Sequence, residues 1–165
     1  MKKIYAINGS PRKNWNTATL LDKALEGAKA SNPDEVITER IDLYDLNFTG
    51  CRSCFACKRI GRESYGTCAV RDDLHDVLEK LLASDGIIIG SPIYYRNITG
   101  ELHSFYKRLF FPYTVYSPHP SGIERRHFPT ACIYTMNVTE AEFKRDRQFG
   151  TDCDKAYQIG QNMTK

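Results

Sequence analysis

No stretch of this chain is apolar for long enough to cross a bilayer; the longest run, residues 87–89 with their flanks, is the size of a strand. The opening Met1-Lys2-Lys3-Ile4 lacks the long apolar segment and small-residue cleavage site of a secretory leader, so a cytoplasmic protein without membrane contact is expected. Excess charge of one sign is also missing. The 23 Lys and Arg against 20 Asp and Glu leave a net charge of +3, too little to argue for a nucleic-acid partner. There are no internal repeats, low-complexity tracts or linker-like stretches, so residues 1–165 are expected to form one domain. His75, His103, His119 and His127 lack the spacing of metal ligands and read as structural or solvent-facing. What is present is ordinary for a folded globule: 41% hydrophobic and 26% charged residues, in a chain long enough to bury a core. Six cysteines in a chain without a leader read as redox, metal-binding or buried thiols rather than disulfides.

Short apolar runs alternate with helical patterns. Residues 3–7 (KIYAI) form a strand that ends in Asn8-Gly9-Ser10-Pro11, and a helix is predicted over residues 17–30, with Leu21, Leu25 and Ala28 on one face. Residues 36–43 (VITERIDL) alternate as a second strand. Asp72 or Asp73 can cap a helix whose apolar face is Leu74, Val77, Leu78, Leu81 and Leu82. Residues 86–90 (GIIIG) read as a strand buried on both faces. Thr99 can cap a helix striped by Leu102, Phe105, Tyr106 and Leu109, which Pro112 ends. Residues 112–129 hold four of the seven prolines and read as an irregular excursion. Residues 130–136 (TACIYTM) form a fourth strand, in which Cys132 reads as a buried small hydrophobe. Thr139-Glu140-Ala141-Glu142 has capping-box spacing for a last helix. This order predicts an α/β doubly wound parallel sheet, with ligands bound beyond the carboxyl ends of its strands. No fifth strand can be read after Met136.

Two loops fall at that ligand side. The first, residues 8–17 (NGSPRKNWNT), is neither a Walker loop nor GxGxxG. It offers hydroxyls, amides and cations in front of a helix N-terminus, where a phosphate would meet backbone N–H groups and the positive end of the helix dipole. The same residues also suit an ordinary polar loop. The second, residues 91–97 (SPIYYRN), sets an apolar residue and two aromatics at a strand end. That makes a flat wall suited to an isoalloxazine ring, or aromatics that simply pack on the surface.

Taken together, NGSPR-x-N-x-NT after the first strand and SPIYY-x-N-x-TGEL-x-SFY-x-R after the third resemble the NAD(P)H-dependent FMN reductases and iron–sulfur flavoproteins of the flavodoxin-like superfamily. The resemblance runs from Lys3 to about Leu109 and implies a flavodoxin-like sheet of order 2-1-3-4 that binds FMN. It implies that Ser10, Arg12, Asn16 and Thr17 hold the FMN phosphate. It further implies that Pro92, Ile93, Tyr94, Tyr95 and Asn97 line the ring and ribityl chain. Trp15 stands where members of that family often carry glycine.

The third feature is a cysteine-rich insertion at about residues 50–70: Cys51, Cys54 and Cys57 three apart, then Cys68. Cys-x2-Cys-x2-Cys is the compact spacing of [4Fe–4S] ligands, but ten residues separate Cys57 from Cys68. A cluster, a thiol or disulfide redox site and inert structural thiols all remain open here. Zinc would be expected to show paired-hairpin spacing, which is missing. Arg52, Lys58, Arg59, Arg62 and Arg71 crowd the segment and are expected to lower thiolate pKa values, or to attract an acidic partner or an NADPH phosphate. The four cysteines are expected to gather near the flavin edge.

The reading that follows is an FMN-dependent oxidoreductase passing electrons from NAD(P)H to a quinone, a flavin or an iron–sulfur acceptor. No catalytic side chain is assigned, because the flavin carries the chemistry. A non-enzymatic flavodoxin-type carrier would be expected to be strongly acidic, which this chain is not. A cysteine-rich metal-binding module without flavin is the remaining alternative. With strand four as an open edge, a homodimer or higher homo-oligomer is expected.

Overall fold

A computed structural model describes residues 1–114, 128–136 and 142–164 of the chain. Four strands, β1 (Lys2–Asn8), β2 (Val36–Asp42), β3 (Gly86–Pro92) and β4 (Thr130–Thr135), pair in parallel in the order β2-β1-β3-β4. The central strands β1 and β3 are buried almost end to end, as strands covered on both faces must be. Their side chains alternate between two cores. Tyr5, Ile7, Ile87 and Ile89 meet α2 (Leu74–Leu82) and α3 (Gly100–Phe110) on one face. Ile4, Ala6, Ile88 and Ile133 meet α1 (Asn16–Ser31) and α4 (Glu142–Asn162) on the other.

The chain is therefore the expected doubly wound α/β sheet, with four strands among the described residues. β3 runs two residues further than the apolar run suggests, because Ser91 and Pro92 still pair with Tyr134 and Thr135. Thr99 caps α3, its hydroxyl accepting the Leu102 N–H at 3.4 Å. Asp73 makes no capping bond to α2, since its carboxylate instead accepts the Asn47 N–H at 2.7 Å. Asp72 accepts the Leu74 N–H at 3.3 Å in its place. Cys132 is exposed rather than buried: β4 is an edge strand, and Cys132 and Tyr134 alternate onto the side away from Ile133. The proline-rich residues 115–127 and the capping-box residues 139–141 lie outside the described residues.

α4 docks on α1 by close backbone approach. A Cβ at Gly27 would fall 1.9 Å from the Tyr157 carbonyl oxygen, and one at Gly160 would fall 1.7 Å from the Ala24 carbonyl oxygen. Only glycine leaves room at these two crossings.

Candidate functional site

The carboxyl ends of β1, β3 and β4 are laced together by short polar bonds. Arg40 pairs with Asp22 and Asp42, and Asp42 accepts from Asn8 Nδ2 at 2.6 Å. Asn8 Oδ1 in turn accepts the Ser10 N–H at 3.0 Å, and Ser10 Oγ accepts the Arg12 N–H at 3.1 Å. The first loop is thus a pair of nested side-chain turns rather than a loose polar segment. Thr99 Oγ1 donates to the Gly9 carbonyl at 2.7 Å, and Thr17 Oγ1 and Thr135 Oγ1 share a bond of 2.7 Å. These bonds tie α3 to β1 and α1 to β4.

α1 opens directly behind this loop. Its N-cap, Trp15, makes no side-chain capping bond, and its first turn holds no acidic residue. The orphan N–H groups and the positive end of the helix dipole therefore face outward without an internal anion. A cleft of about 340 Å³ lies there, within the size range of cofactor sites. Ser10, Arg12, Trp15, Asn16 and Thr17 form one wall. Pro92, Ile93 and Tyr94 form another, and Thr135, Met136 and Phe149 close it. Ser10 and Thr17 are each only 3% exposed, so their hydroxyls are fixed. The Arg12 guanidinium stacks over the Trp15 ring at 4.5 Å. Beside the cleft, burial and the hydrogen bond to Glu101 push the Tyr44 phenol up to about 12. A phosphate cradle at one end and an apolar wall at the other fit FMN in both shape and donor set.

Two residues expected at the ring stand apart. Tyr94 and Asn97 exchange backbone bonds of 2.8 and 2.9 Å around Tyr95 and Arg96, whose φ angles are +47° and +64°. This is a two-residue turn with both central residues left-handed, and it lifts Tyr95 wholly into solvent. Asn97 Oδ1 accepts the Ile98 N–H at 2.8 Å, and Asn97 is absent from the cleft lining. Sequence reasoning singled out Trp15 in the first loop but assigned neither it nor Thr135, Met136 and Phe149 to the site. Thr135 and Met136 could have been found from their place at the carboxyl end of β4. Phe149 carries no local signal, since it reaches the cleft only through the docking of α4.

Cys51, Cys54, Cys57 and Cys68 line one water-sized cavity of about 20 Å³. Ser53 and Phe55, which alternate with the first cysteines, have φ of +53° and +55°. Left-handed residues alternating with ordinary ones turn successive N–H groups inward, the nest found around iron–sulfur and phosphate groups. The ten residues after Cys57 fold back on it: the Gly66 N–H, at a residue with φ of +80°, donates to the Cys57 carbonyl at 3.0 Å and returns the chain to Cys68. Lys58 Nζ donates to the carbonyls of Phe111, Pro112 and Thr114, and Phe55 packs edge-on to Phe111 at 5.7 Å. The basic residues do not lower the Cys57 thiol pKa. Burial pushes it up, and the Lys58 charge offsets only part of that.

The buried residue at the centre of this segment is Arg108 on α3. Its Nε donates to Cys68 Sγ at 3.3 Å, Nη1 to both Asp72 carboxylate oxygens at 2.7 and 2.6 Å and to the Thr49 carbonyl at 3.1 Å, and Nη2 to the Val70 carbonyl at 2.9 Å. An arginine three residues after Phe105, on the buried stripe of an amphipathic helix, is the signal that could have found it.

Among the described residues the cysteine cavity and the cleft share no lining residue: the cavity is lined by Lys107, Arg108, Phe111 and Pro112, where α3 ends, and no described residue of α3 lines the cleft. His75, read as structural or solvent-facing, pairs with Glu79 on α2. Its Nε2 lies 3.1 Å from Glu79, and with Asp76 the three ligand atoms fall within 4.8 Å of one another on the surface of α2.

A family profile described as NADPH-dependent FMN reductase matches residues 2–127. Similar curated proteins include an iron–sulfur flavoprotein of Archaeoglobus fulgidus, 38% identical over 106 residues, covering 64% of this chain and 48% of that one. An iron–sulfur flavoprotein of Methanocaldococcus jannaschii is 36% identical over 100 residues, covering 61% and 48%. The chain spans about half the length of the curated relatives it matches. Among solved structures, an NAD(P)H:quinone oxidoreductase from Methanothermobacter marburgensis superposes with a TM-score of 0.67 at 14% identity, covering 99% of this chain and 98% of that one. An FMN-dependent NADH-azoreductase from Bacillus anthracis, solved in complex with FMN, gives 0.66 at 11%, covering 99% and 100%. These two establish the fold.

Proposed function

The chain belongs to the NADPH-dependent FMN reductase family, and on that basis we propose that it is an FMN-dependent oxidoreductase that takes electrons from NAD(P)H and passes them to a quinone, a flavin or an iron–sulfur acceptor. The observation that carries this reading is the cleft at the carboxyl ends of the strands, where an uncapped helix N-terminus and two buried hydroxyls face an apolar wall.

Ser10, Arg12, Asn16 and Thr17, with the first N–H groups of α1, hold the phosphate. Pro92, Ile93 and Tyr94 support the ring, and Phe149 and Met136 keep water from its open side. FMN bound there supplies hydride acceptance and the release of electrons singly or in pairs. The chain's own residues supply position and field, and Arg12 supplies the cation nearest the phosphate end.

Cys51, Cys54, Cys57 and Cys68 hold a [4Fe–4S] cluster in this reading. Four thiols converging on one nest match such a cluster in number and kind. The cavity as it stands is water-sized, so loading requires the exposed Cys54 to move outward. The curated relatives carry the name iron–sulfur flavoprotein, which supports the assignment. No helix among the described residues is long and apolar enough to cross a membrane, and the small net charge gives no reason to expect nucleic acid.

Trp15 is the chain's single tryptophan, and it lines the cleft. Titrating FMN into flavin-free protein should therefore quench the intrinsic tryptophan fluorescence, saturating at one FMN per chain. The loaded protein should oxidise NADPH or NADH when a quinone is present. No quenching, or bound flavin that neither nucleotide reduces, would show the reading to be wrong.

A further inference from the structure

Arg108 reaches both flanks of the cysteine segment from a single guanidinium. Thr49 stands two residues before Cys51 and Val70 two residues after Cys68, and both give their carbonyls to Arg108. Asp72 completes the junction. Its carboxylate takes two bonds from Nη1 and also accepts the N–H groups of Thr49 at 3.2 Å and Leu74 at 3.3 Å. The Arg108 side chain is fully buried, so this is a desolvated ion pair with tight geometry. Tying two loops together would use the Nη groups alone. The Nε–H is instead directed at Cys68 Sγ, 3.3 Å away.

We propose that Arg108 is the positioning residue of the cysteine site. It holds Cys68 against the compact run of Cys51, Cys54 and Cys57, and its Nε–H raises the reduction potential of the iron–sulfur group those thiolates bind, with Asp72 setting its orientation and balancing its charge. The inference rests on the reading of the four cysteines as cluster ligands. The physical basis is the arrangement itself. Ligands of a metal site are oriented by the groups they hydrogen-bond, and N–H donors to ligand sulfurs are among the levers that set iron–sulfur potentials. Reduction adds one electron and makes the sulfurs more negative, so a donor held on Cys68 favours the reduced form. Asp72 carries the opposite charge and moderates the effect of the guanidinium.

The two partners therefore predict shifts of opposite sign. In Arg108→Lys the charge stays, but the planar fork that reaches Cys68, Thr49, Val70 and Asp72 together is lost. The oxidised-to-reduced balance should move toward the oxidised form by roughly tenfold, about 59 mV lower for a one-electron couple. In Asp72→Asn an oxygen still accepts from Nη1, but Arg108 is left uncompensated, and the potential should rise. The full-length protein is purified anaerobically with FMN. Iron and acid-labile sulfide are assayed, and the potential is read by redox titration followed through the visible and electron paramagnetic resonance spectra. Quenching of Trp15 by FMN serves as the folding control, because among the described residues the cleft shares no lining residue with the cysteine cavity. Opposite shifts in the two variants support the proposal. Unchanged potentials, or shifts of the same sign, overturn it. If Arg108→Lys does not fold, Asp72→Asn decides alone: a rise supports and no rise overturns. Wild-type protein without iron overturns the cluster reading and this proposal with it, a result distinct from iron-loaded protein whose potential ignores Arg108.

Discussion

At the scale of single residues, Ser10 and Thr17 do two jobs each. Ser10 Oγ accepts the Arg12 N–H and shapes the loop, while Thr17 Oγ1 joins α1 to β4 through Thr135. Both residues also line the cleft. The double substitution Ser10→Ala with Thr17→Ala should weaken FMN binding at least about a hundredfold, since each charge-assisted bond is worth roughly 1.5–3 kcal/mol. Isothermal titration with FMN measures this, and an affinity within a few fold of wild type would remove the phosphate from this loop. Tyr44 gives a second residue-scale expectation. Its phenol sits at about 12 in the fold, above the ordinary value of 10.0. The unfolded chain therefore releases this proton first. Stability should be level with respect to this group below pH 10 and fall as pH rises toward 12. Tyr44→Phe should make the alkaline decline shallower in thermal melts recorded across that window.

At the scale of elements, the α1–α4 crossing is the contact most exposed to a one-carbon test. Gly160 sits in the last turn of α4, where alanine is still the better helix former, by up to about 1 kcal/mol. Propensity alone would make Gly160→Ala stabilising. The structure predicts the reverse, because the added methyl would meet the Ala24 carbonyl at 1.7 Å and push α4 off α1. A loss of about 1–3 kcal/mol is expected from urea unfolding, and a gain would contradict the packing. The elements themselves were largely legible in the sequence. The GIIIG run, the alternation of VITERID and the Thr99 cap each rest on local patterns that the fold preserves. What stayed hidden depends on contacts distant in sequence. Asp73 lost its capping role to Asn47, Cys132 lost its cover because β4 lies at an edge, and Tyr95 left the ring wall because of a two-residue turn. The cleft loops could be read because their residues are contiguous. For Arg108 the helical stripe marks the position but not the partners, which lie 36 to 59 residues away.

At the scale of the whole molecule, β4 is the outer strand among the described residues, with Tyr134 51% exposed and Cys132 exposed beside it. Open edges invite pairing or cover, and a homodimer or larger homo-oligomer is the expected solution state. Light scattering at micromolar concentration should return at least twice the chain mass of 18.9 kDa. A monomer that still binds FMN would show that the edge is tolerated alone.

The placement of Phe149 has a further consequence for how the holoprotein is made. In the proposed reading the residues for the phosphate have been made by Thr17 and those for the ring by Tyr94, whereas Phe149, which also lines the cleft, comes from the helix that ends at Asn162. A chain emerging from the ribosome therefore presents the cleft without Phe149 until α4 has been made. If FMN binds as proposed, it is expected to be held more weakly before α4 has settled onto α1 than afterwards.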